Sequence, residues 1–216
     1  MSFIDQLSQI VTEQLKQLDT IPVLESGVPP KVGVVELLKM ALKNELEASE
    51  LAARWLPSVP EIDVKLGLAR QCGDEAKHYR LIAQHLETMG IDLTNFSPLA
   101  QGYSPLFQWL TTLETTVERL AAGPFAREAI ALKRNTQLIA VLEALGDEAS
   151  AQLYRAEIQP DEQWHHNFGQ AMLAKYATTE ALQAQAEQAA LQTLKLADEL
   201  RSAVMAKTGA CVVPGC

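Results

Sequence analysis

Two copies of one short motif constrain this chain more than any other feature of its sequence. Residues 74–78 read D-E-A-K-H, and residues 161–165 read D-E-Q-W-H. On an α-helix, positions i and i+3 lie on one face, so each motif directs a carboxylate and an imidazole toward the same point. A single E-x-x-H is a weak signal because Glu and His are common surface residues. Two copies on long helical segments instead predict two facing helices that could hold two metal ions.

The pattern between the prolines and glycines is helical along the whole chain. Ala and Leu are abundant, apolar residues recur at helical spacing, and no run alternates with the period of a strand. We therefore predict an all-α fold in a single domain spanning residues 1–216. Its predicted parts are an N-terminal helix at 2–19, a bundle core at about 33–177, a C-terminal helix at 179–207 and a frayed tail at 208–216.

Prolines and glycines set the predicted helix boundaries inside the core. Pro57 ends a helix that begins near residue 33, and Gly90 ends the next one. Gly123-Pro124 is expected to break or kink a third helical stretch, and Gly146 begins a final turn. The predicted helices cover about 33–56, 61–89, 104–122, 125–145 and 146–177, the last of them with Pro160 inside it.

Composition excludes several classes of protein. The formal net charge is −9, which argues against a nucleic-acid partner because phosphate binding needs a basic face. No apolar run approaches the roughly 20 residues of a membrane span. The first residues lack the basic and apolar regions of a secretory signal, and three cysteines do not make a disulfide framework. We predict a soluble, cytoplasmic protein, and assign no role to Cys211 and Cys216.

The helical wheel of each segment identifies the inward-facing carboxylates. Glu75 falls in the middle of an apolar stripe with Leu68 and Ile82, which is unfavourable for a carboxylate unless it is paired or bound to metal. On the 33–56 segment only Glu45 faces inward, and 30 residues separate it from Glu75 across the turn at 57–60. The other glutamates of that segment are predicted to face solvent; they are Glu36, Glu47 and Glu50.

The second half of the core repeats this arrangement. Glu128 lies 18 residues before Gly146 and Glu162 lies 16 residues after it, so an antiparallel pair brings the two carboxylates to one level. Glu114 also faces inward on its local wheel, but it would sit roughly 24 Å further along the axis. His166 shares the inward face and competes with His165.

Together these residues form one predicted metal-binding set: Glu45, Glu75, His78, Glu128, Glu162 and His165. The set matches a bundle core in which two helices contribute one Glu each and two others contribute a Glu-x-x-His each. Four glutamates neutralise two divalent cations, and the mixed oxygen and nitrogen donors suit iron or manganese better than zinc.

At these residues the sequence resembles the ferritin-like di-iron carboxylate superfamily. Residues 44–48 (N-E-L-E-A) resemble the first ligand helix of bacterioferritins, and residues 158–169 resemble the last ligand helix of ribonucleotide-reductase small subunits. The resemblance covers about residues 33–177. It implies an antiparallel four-helix bundle with extra N- and C-terminal helices. It also implies that Asp74 and Asp161 each hydrogen-bond the opposite histidine.

The chain departs from the best-known members of that superfamily. Ile82 stands where a reductase small subunit would carry its radical tyrosine, and no rubredoxin-type C-x-x-C pair is present. The first departure argues against a reductase subunit and the second against a two-module rubrerythrin. The resemblance as a whole implies a redox enzyme with two iron ions, or manganese or mixed manganese and iron, that acts on a small-molecule substrate or on O2 or peroxide with an unidentified electron donor. A homodimer is compatible with this interpretation. The alternatives are a non-catalytic iron-storage protein of ferritin type and a metal-free helical interaction module.

Overall fold

The computed structural model describes residues 1–16, 31–210 and 212–215. These residues form seven helices and no strand, which confirms the all-α prediction. The helices are α1 (Phe3–Leu15), α2 (Val34–Trp55), α3 (Ile62–Thr88), α4 (Pro105–Leu110), α5 (Thr116–Leu120, Ala121–Arg127 and Glu128–Ala144), α6 (Glu148–Leu153, Tyr154–Ile158 and Gln159–Tyr176) and α7 (Glu180–Thr208). The predicted helical residues 17–19 and both Cys211 and Cys216 lie outside the described part of the chain.

Four of the helices pack as two antiparallel hairpins. The first hairpin joins α2 to α3, and the second joins α5 to α6 through Gly146, whose φ of +77° is a conformation that favours glycine. The predicted turns at 57–60 and at Gly146 are therefore confirmed. Helix α7 packs against α5, and α1 packs against α7 and α6. No described helix combines the length and the apolar character needed to cross a bilayer.

Among the described residues the apolar core forms two clusters, one toward each end of the bundle. On α2, Glu45 falls between Leu42 of one cluster and Leu51 of the other. On α3, Glu75 falls between Leu68 and Ile82 in the same way. The sequence pattern thus places a polar layer midway along the bundle, sealed by apolar side chains on both sides.

The prediction that Gly123-Pro124 divides two helices, at 104–122 and 125–145, is wrong. The chain makes the short helix α4 and then starts α5 at Thr116, capped by Thr115 and Glu118. It continues through Pro124 in a π-helical turn, Ala121–Arg127. Proline lacks an N–H and its ring crowds the carbonyl four residues earlier; the wider π turn accommodates both effects without ending the helix.

The prediction that the tail is frayed is also wrong for the described residues 212–215. Val212 and Val213 are buried, and Val212 contributes to one apolar cluster. Asn44 Nδ2 donates a hydrogen bond to the carbonyl of Pro214 (2.5 Å), and the N–H of Gly215 donates to Asn135 Oδ1 (3.0 Å). Side chains of α2 and α5 therefore satisfy the backbone of this extended segment, which the sequence pattern alone does not reveal.

We expect Gly169→Ala to destabilise the protein by about 1–3 kcal/mol, the range typical of overpacking. A Cβ at residue 169 would lie 2.7 Å from backbone atoms of Pro124 and Phe125, so α6 or the π turn of α5 would have to move. Gly73 provides the matched control because it is exposed within α3, and a Cβ at that residue would have no neighbour within 4 Å. Gly73→Ala should raise stability by roughly 0.5–1 kcal/mol. Urea unfolding followed by circular dichroism measures both; equal effects would contradict the close approach.

Candidate metal centre

Six polar side chains from four helices meet in the layer between the apolar clusters. Each is at most 4% exposed. They are Glu45 from α2, Glu75 and His78 from α3, Glu128 from α5, and Glu162 and His165 from α6. The structure therefore brings together all six residues of the predicted set. Burying this many ionisable groups is unfavourable unless they are paired or bind cations.

The six side chains form two overlapping groups of four. The first, here called the His78 position, consists of Glu45, Glu75, His78 and Glu162. The second, the His165 position, consists of Glu75, Glu128, Glu162 and His165. In each group one potential ligand atom per residue lies within 4.8 Å of all the others. Glu75 and Glu162 belong to both groups, so they stand where a carboxylate could bridge two cations.

The two imidazoles are oriented alike. His78 Nδ1 lies 3.3 Å from Glu45 Oε2 and 3.4 Å from Glu75 Oε2. His165 Nδ1 lies 3.0 Å from Glu162 Oε2. Because Nδ1 of each ring faces the carboxylates, Nε2 of each ring is free to make a contact on the outer side.

The outer contacts cross between the two motifs. His78 Nε2 lies 3.3 Å from Asp161 Oδ2, and His165 Nε2 lies 3.2 Å from Asp74 Oδ2. The pairing of each aspartate with the opposite histidine is thus confirmed. An aspartate that accepts a hydrogen bond from Nε2–H leaves Nδ1 unprotonated in the neutral ring, which is the form that binds a metal.

Two positively charged side chains at the surface neutralise these aspartates. Lys77 Nζ lies 2.5 Å from Asp161 Oδ2, and Arg70 Nε lies 3.1 Å from Asp74 Oδ2. The guanidinium of Arg70 also lies over the ring of Trp164, 3.6 Å from its centroid, which restricts the arginine side chain. The aspartates therefore orient the histidines without adding uncompensated negative charge to the layer.

We expect Asp161→Ala to lower metal affinity by about 10–100-fold, as is typical when the outer partner of a ligand histidine is removed. The substitution frees the His78 ring to rotate and to take the wrong tautomer. Asp198→Ala is the control because Asp198 is half exposed on α7 and pairs with Arg201 instead. Competition with a coloured chelator measures both affinities. Equal affinities in the two variants would show that Asp161 does not support the site.

The pKa values show how strongly the layer needs positive charge. Burial, together with the charges of Glu75 and Glu162, raises the pKa of Glu45 to about 8. Burial and the charges of Glu162 and Glu75 likewise raise the pKa of Glu128 well above its usual range. Without a cation, these carboxylates are therefore driven to hold protons.

Around His78 the pKa shifts favour the charged forms of both the imidazole and the neighbouring Glu75 carboxylate. Burial alone would lower the pKa of His78, but the close carboxylates of Glu45 and Glu75 raise it to about 12. Burial alone would raise the pKa of Glu75, but its contact with His78 and the charges of His165 and His78 lower it to about 2. Protons on the imidazoles thus take the place that a cation could fill.

Two buried atoms indicate where cations fit. His78 Nδ1 and Glu75 Oε1 are buried yet have no hydrogen-bond partner among the described residues. The 3.3–3.4 Å approaches of His78 Nδ1 to carboxylate oxygens are close but poorly aligned, so they are electrostatic contacts rather than hydrogen bonds. Orphaned buried polar atoms are rare, and a metal ion would satisfy both. Carboxylate and imidazole donors in this ratio suit iron and manganese.

The structure also places the two competing residues. His166 Nδ1 lies 2.8 Å from the carbonyl oxygen of Phe125, and its ring stacks on the Phe125 ring, so His166 belongs to neither group. Glu114 is exposed in the connection between α4 and α5. The inward face predicted for Glu114 is wrong because the chain there is not helical.

One glutamate predicted to face solvent is buried instead. Glu47 is 5% exposed and accepts hydrogen bonds from the N–H and the hydroxyl of Ser104, at 2.7 and 2.6 Å. Ser104 in turn caps α4 by accepting from the N–H of Phe107. Glu47 therefore anchors the loop before α4 to α2, a long-range contact that a helical wheel does not detect.

Sequence reasoning missed two residues beside the centre. Gln71 Nε2 donates a hydrogen bond to Glu128 Oε1 at 2.7 Å, and Arg127 Nη1 lies 3.6 Å from the same oxygen. Gln71 stands one helical turn before Glu75, on the same stripe, which is the signal that could have identified it. Arg127 gave no such signal because it is brought inward by the π turn.

A second π turn, Tyr154–Ile158, immediately precedes the helical segment that carries Glu162. A uniform wheel places Arg155 on the face of Glu162, but the Arg155 side chain is 43% exposed while Glu162 is 3% exposed. The wider turn changes the angle between the two side chains around the helix axis, so a wheel with a constant angle per residue fails there. π turns are frequent at functional sites.

Comparison with known proteins adds a family but no activity. A family model described as "Protein of unknown function (DUF455)" matches residues 33–205. The matched range contains all six buried Glu and His residues of the layer. No curated protein and no solved structure shows significant similarity to the chain.

Proposed function

Because the chain belongs to the DUF455 family, and the matched region contains the whole buried Glu and His layer, we propose that it is a ferritin-like dinuclear metal protein that acts as an oxidoreductase. The observation that carries this proposal is the sharing of Glu75 and Glu162 by both groups. Two separate mononuclear sites would not need common carboxylates. A pair of cations bridged by Glu75 and Glu162 would need both positions to share these carboxylates.

Charge and donor type favour two iron ions. Four carboxylates would balance the four positive charges of two divalent cations. Manganese, or one manganese and one iron, is the alternative that the same donors support. When bound, the metals would supply the electron-transfer chemistry for reaction with O2 or peroxide.

The protein's own residues would bind the metal ions, orient the imidazole ligands and shield the centre from water. Glu45, His78, Glu128 and His165 each contribute to one position only, and the two outer aspartates hold the imidazole rings. The apolar clusters on both sides of the layer exclude water. The antiparallel arrangement of α2, α3, α5 and α6, with donors midway along each helix, supports the ferritin-like assignment.

The proposal is tested by metal analysis combined with oxygen consumption. Protein purified from iron-replete cells should contain about two iron or manganese ions per chain, as expected for a two-metal site. The reduced, loaded protein should consume O2 in an electrode assay, and the Glu75→Ala variant prepared in parallel should not. No more than trace metal in the wild type would refute the dinuclear centre and leave the metal-free helical module.

The same sample distinguishes an enzyme from a storage protein. A ferritin-type store assembles as a large cage, whereas the enzyme proposed here should elute from size-exclusion chromatography as a monomer or a small oligomer. Elution as a cage that holds many iron atoms per chain would replace the enzymatic proposal with storage.

A further inference from the structure

The two positions of the layer differ in their surroundings. At the His165 position, Gln71 Nε2 and Arg127 Nη1 both approach one oxygen of Glu128, Oε1, at 2.7 and 3.6 Å. Gln71 and Arg127 are 4% and 6% exposed, so water screens neither contact strongly. One of the two Glu128 oxygens is therefore already bonded within the protein, and a positive charge lies beside it.

The His78 position has a different environment. The charged groups that act most strongly on Glu45 are His78, Glu75 and Glu162. Arg127, by contrast, is among the groups that act most strongly on Glu128. Arg127 also acts on Glu75, but Glu75 is common to both positions and so does not distinguish them. Arg127 Nη2 also donates to the backbone carbonyl of Asn44 at 3.3 Å, whereas Arg127 Nη1 lies 3.6 Å from a carboxylate oxygen of Glu128 itself. Because its contact on the Glu128 side is with the ligand carboxylate, the arginine disfavours a cation beside Glu128 more than a cation beside Glu45.

We propose that the two positions are unequal: the His78 position binds its cation first, and the His165 position binds second, more weakly, and releases first. This inference rests on the proposed dinuclear centre. Arg127 weakens the second position by charge repulsion. Gln71 is a positioning residue: its hydrogen bond to Glu128 Oε1 would fix the orientation of the carboxylate that helps to hold the second cation.

The order of filling can be observed in the unaltered protein. Imidazole ¹⁵N resonances are recorded while apo-protein is titrated with Zn²⁺, a diamagnetic probe. The chain has four histidines. His85 Nε2 contacts Ser150 Oγ and His166 Nδ1 contacts the carbonyl of Phe125, each at 2.8 Å, so both serve as internal controls.

The first equivalent of Zn²⁺ should shift the His78 resonances and the second should shift those of His165. Simultaneous shifts, or the reverse order, would overturn the inference while leaving the dinuclear centre intact. If neither histidine responds to zinc, the dinuclear centre itself is refuted, so the two failures are distinguishable.

Substitution of Arg127 then tests the cause. In Arg127→Met the second step of a calorimetric Zn²⁺ titration should tighten by at least about tenfold, because a nearby positive charge has been removed. Arg127→Lys keeps the charge and should retain the weak second step. The first step should change little in either variant. A second step that is equally weak in the Met and Lys variants would show that the charge of Arg127 does not set the order.

Discussion

Replacing Glu75 or Glu162 with Ala should remove both metal ions, whereas replacing Glu45 or Glu128 should remove one. The reason is geometric, since the first two residues belong to both groups of four and the other two belong to one each. Loss of a direct ligand should lower affinity by more than the ~10–100-fold typical of an outer partner. Metal content per chain after gel filtration, measured by elemental analysis, gives the pattern directly.

Glu114→Ala is the matched control for this series, because Glu114 is a glutamate of the same region that the structure leaves exposed. It should retain wild-type metal content. Loss of metal in the Glu114 variant, or two ions retained by the Glu75 variant, would contradict the assignment of the ligands. Loss of both ions from all four variants would mean that the two positions cannot be occupied separately.

Removing the metals should lower the free energy of unfolding by about 5 kcal/mol. Each occupied position adds about 2.7 kcal/mol when the free metal is 100-fold above the Kd of that position, and two occupied positions add about twice that. For a chain of 216 residues, this corresponds to a decrease in Tm of roughly 10–20 °C. Thermal unfolding followed by circular dichroism, with and without chelator, makes the comparison.

The Glu75→Ala variant provides the control for this second expectation. Its Tm should not respond to chelator, because the shared ligand is absent. Its apo form should still show the helical spectrum, since Leu68 and Ile82 lie along the same stripe and can close around the smaller side chain. If the loaded wild type, with two metals verified, has the same Tm as its apo form, the metals do not contribute to folding stability.

Local rules explain why much of the layer could be predicted. The i, i+3 spacing of Glu75 and His78 needs only one regular helix, and α3 is regular over that stretch. The choice of Glu128 over Glu114 needed only a hairpin at Gly146 and the rise per residue of a helix. The π turn at Ala121–Arg127 does not change the predicted height of Glu128, because Glu128 begins the regular helical segment that follows.

The same rules fail where backbone geometry or distant contacts intervene. A regular wheel cannot allow for the wider turn before Pro160, so it places Arg155 on the wrong face. It also cannot show that Glu47 meets Ser104, 57 residues away. Nor does the sequence of residues 212–215 reveal that the side chains of Asn44 and Asn135 form hydrogen bonds with the backbone of this segment.

The sequence by itself determined the helical class, the two hairpins and the six polar residues that meet in one layer, because each depends on periodicity and on distances along single helices. Only the tertiary structure decided which atoms face each other. It made Glu75 and Glu162 common to both positions, and it brought Gln71 and Arg127 to one side only. The physical reason is that these relations arise from packing between helices and from local widening of a turn, and neither is encoded in the spacing of residues along one helix.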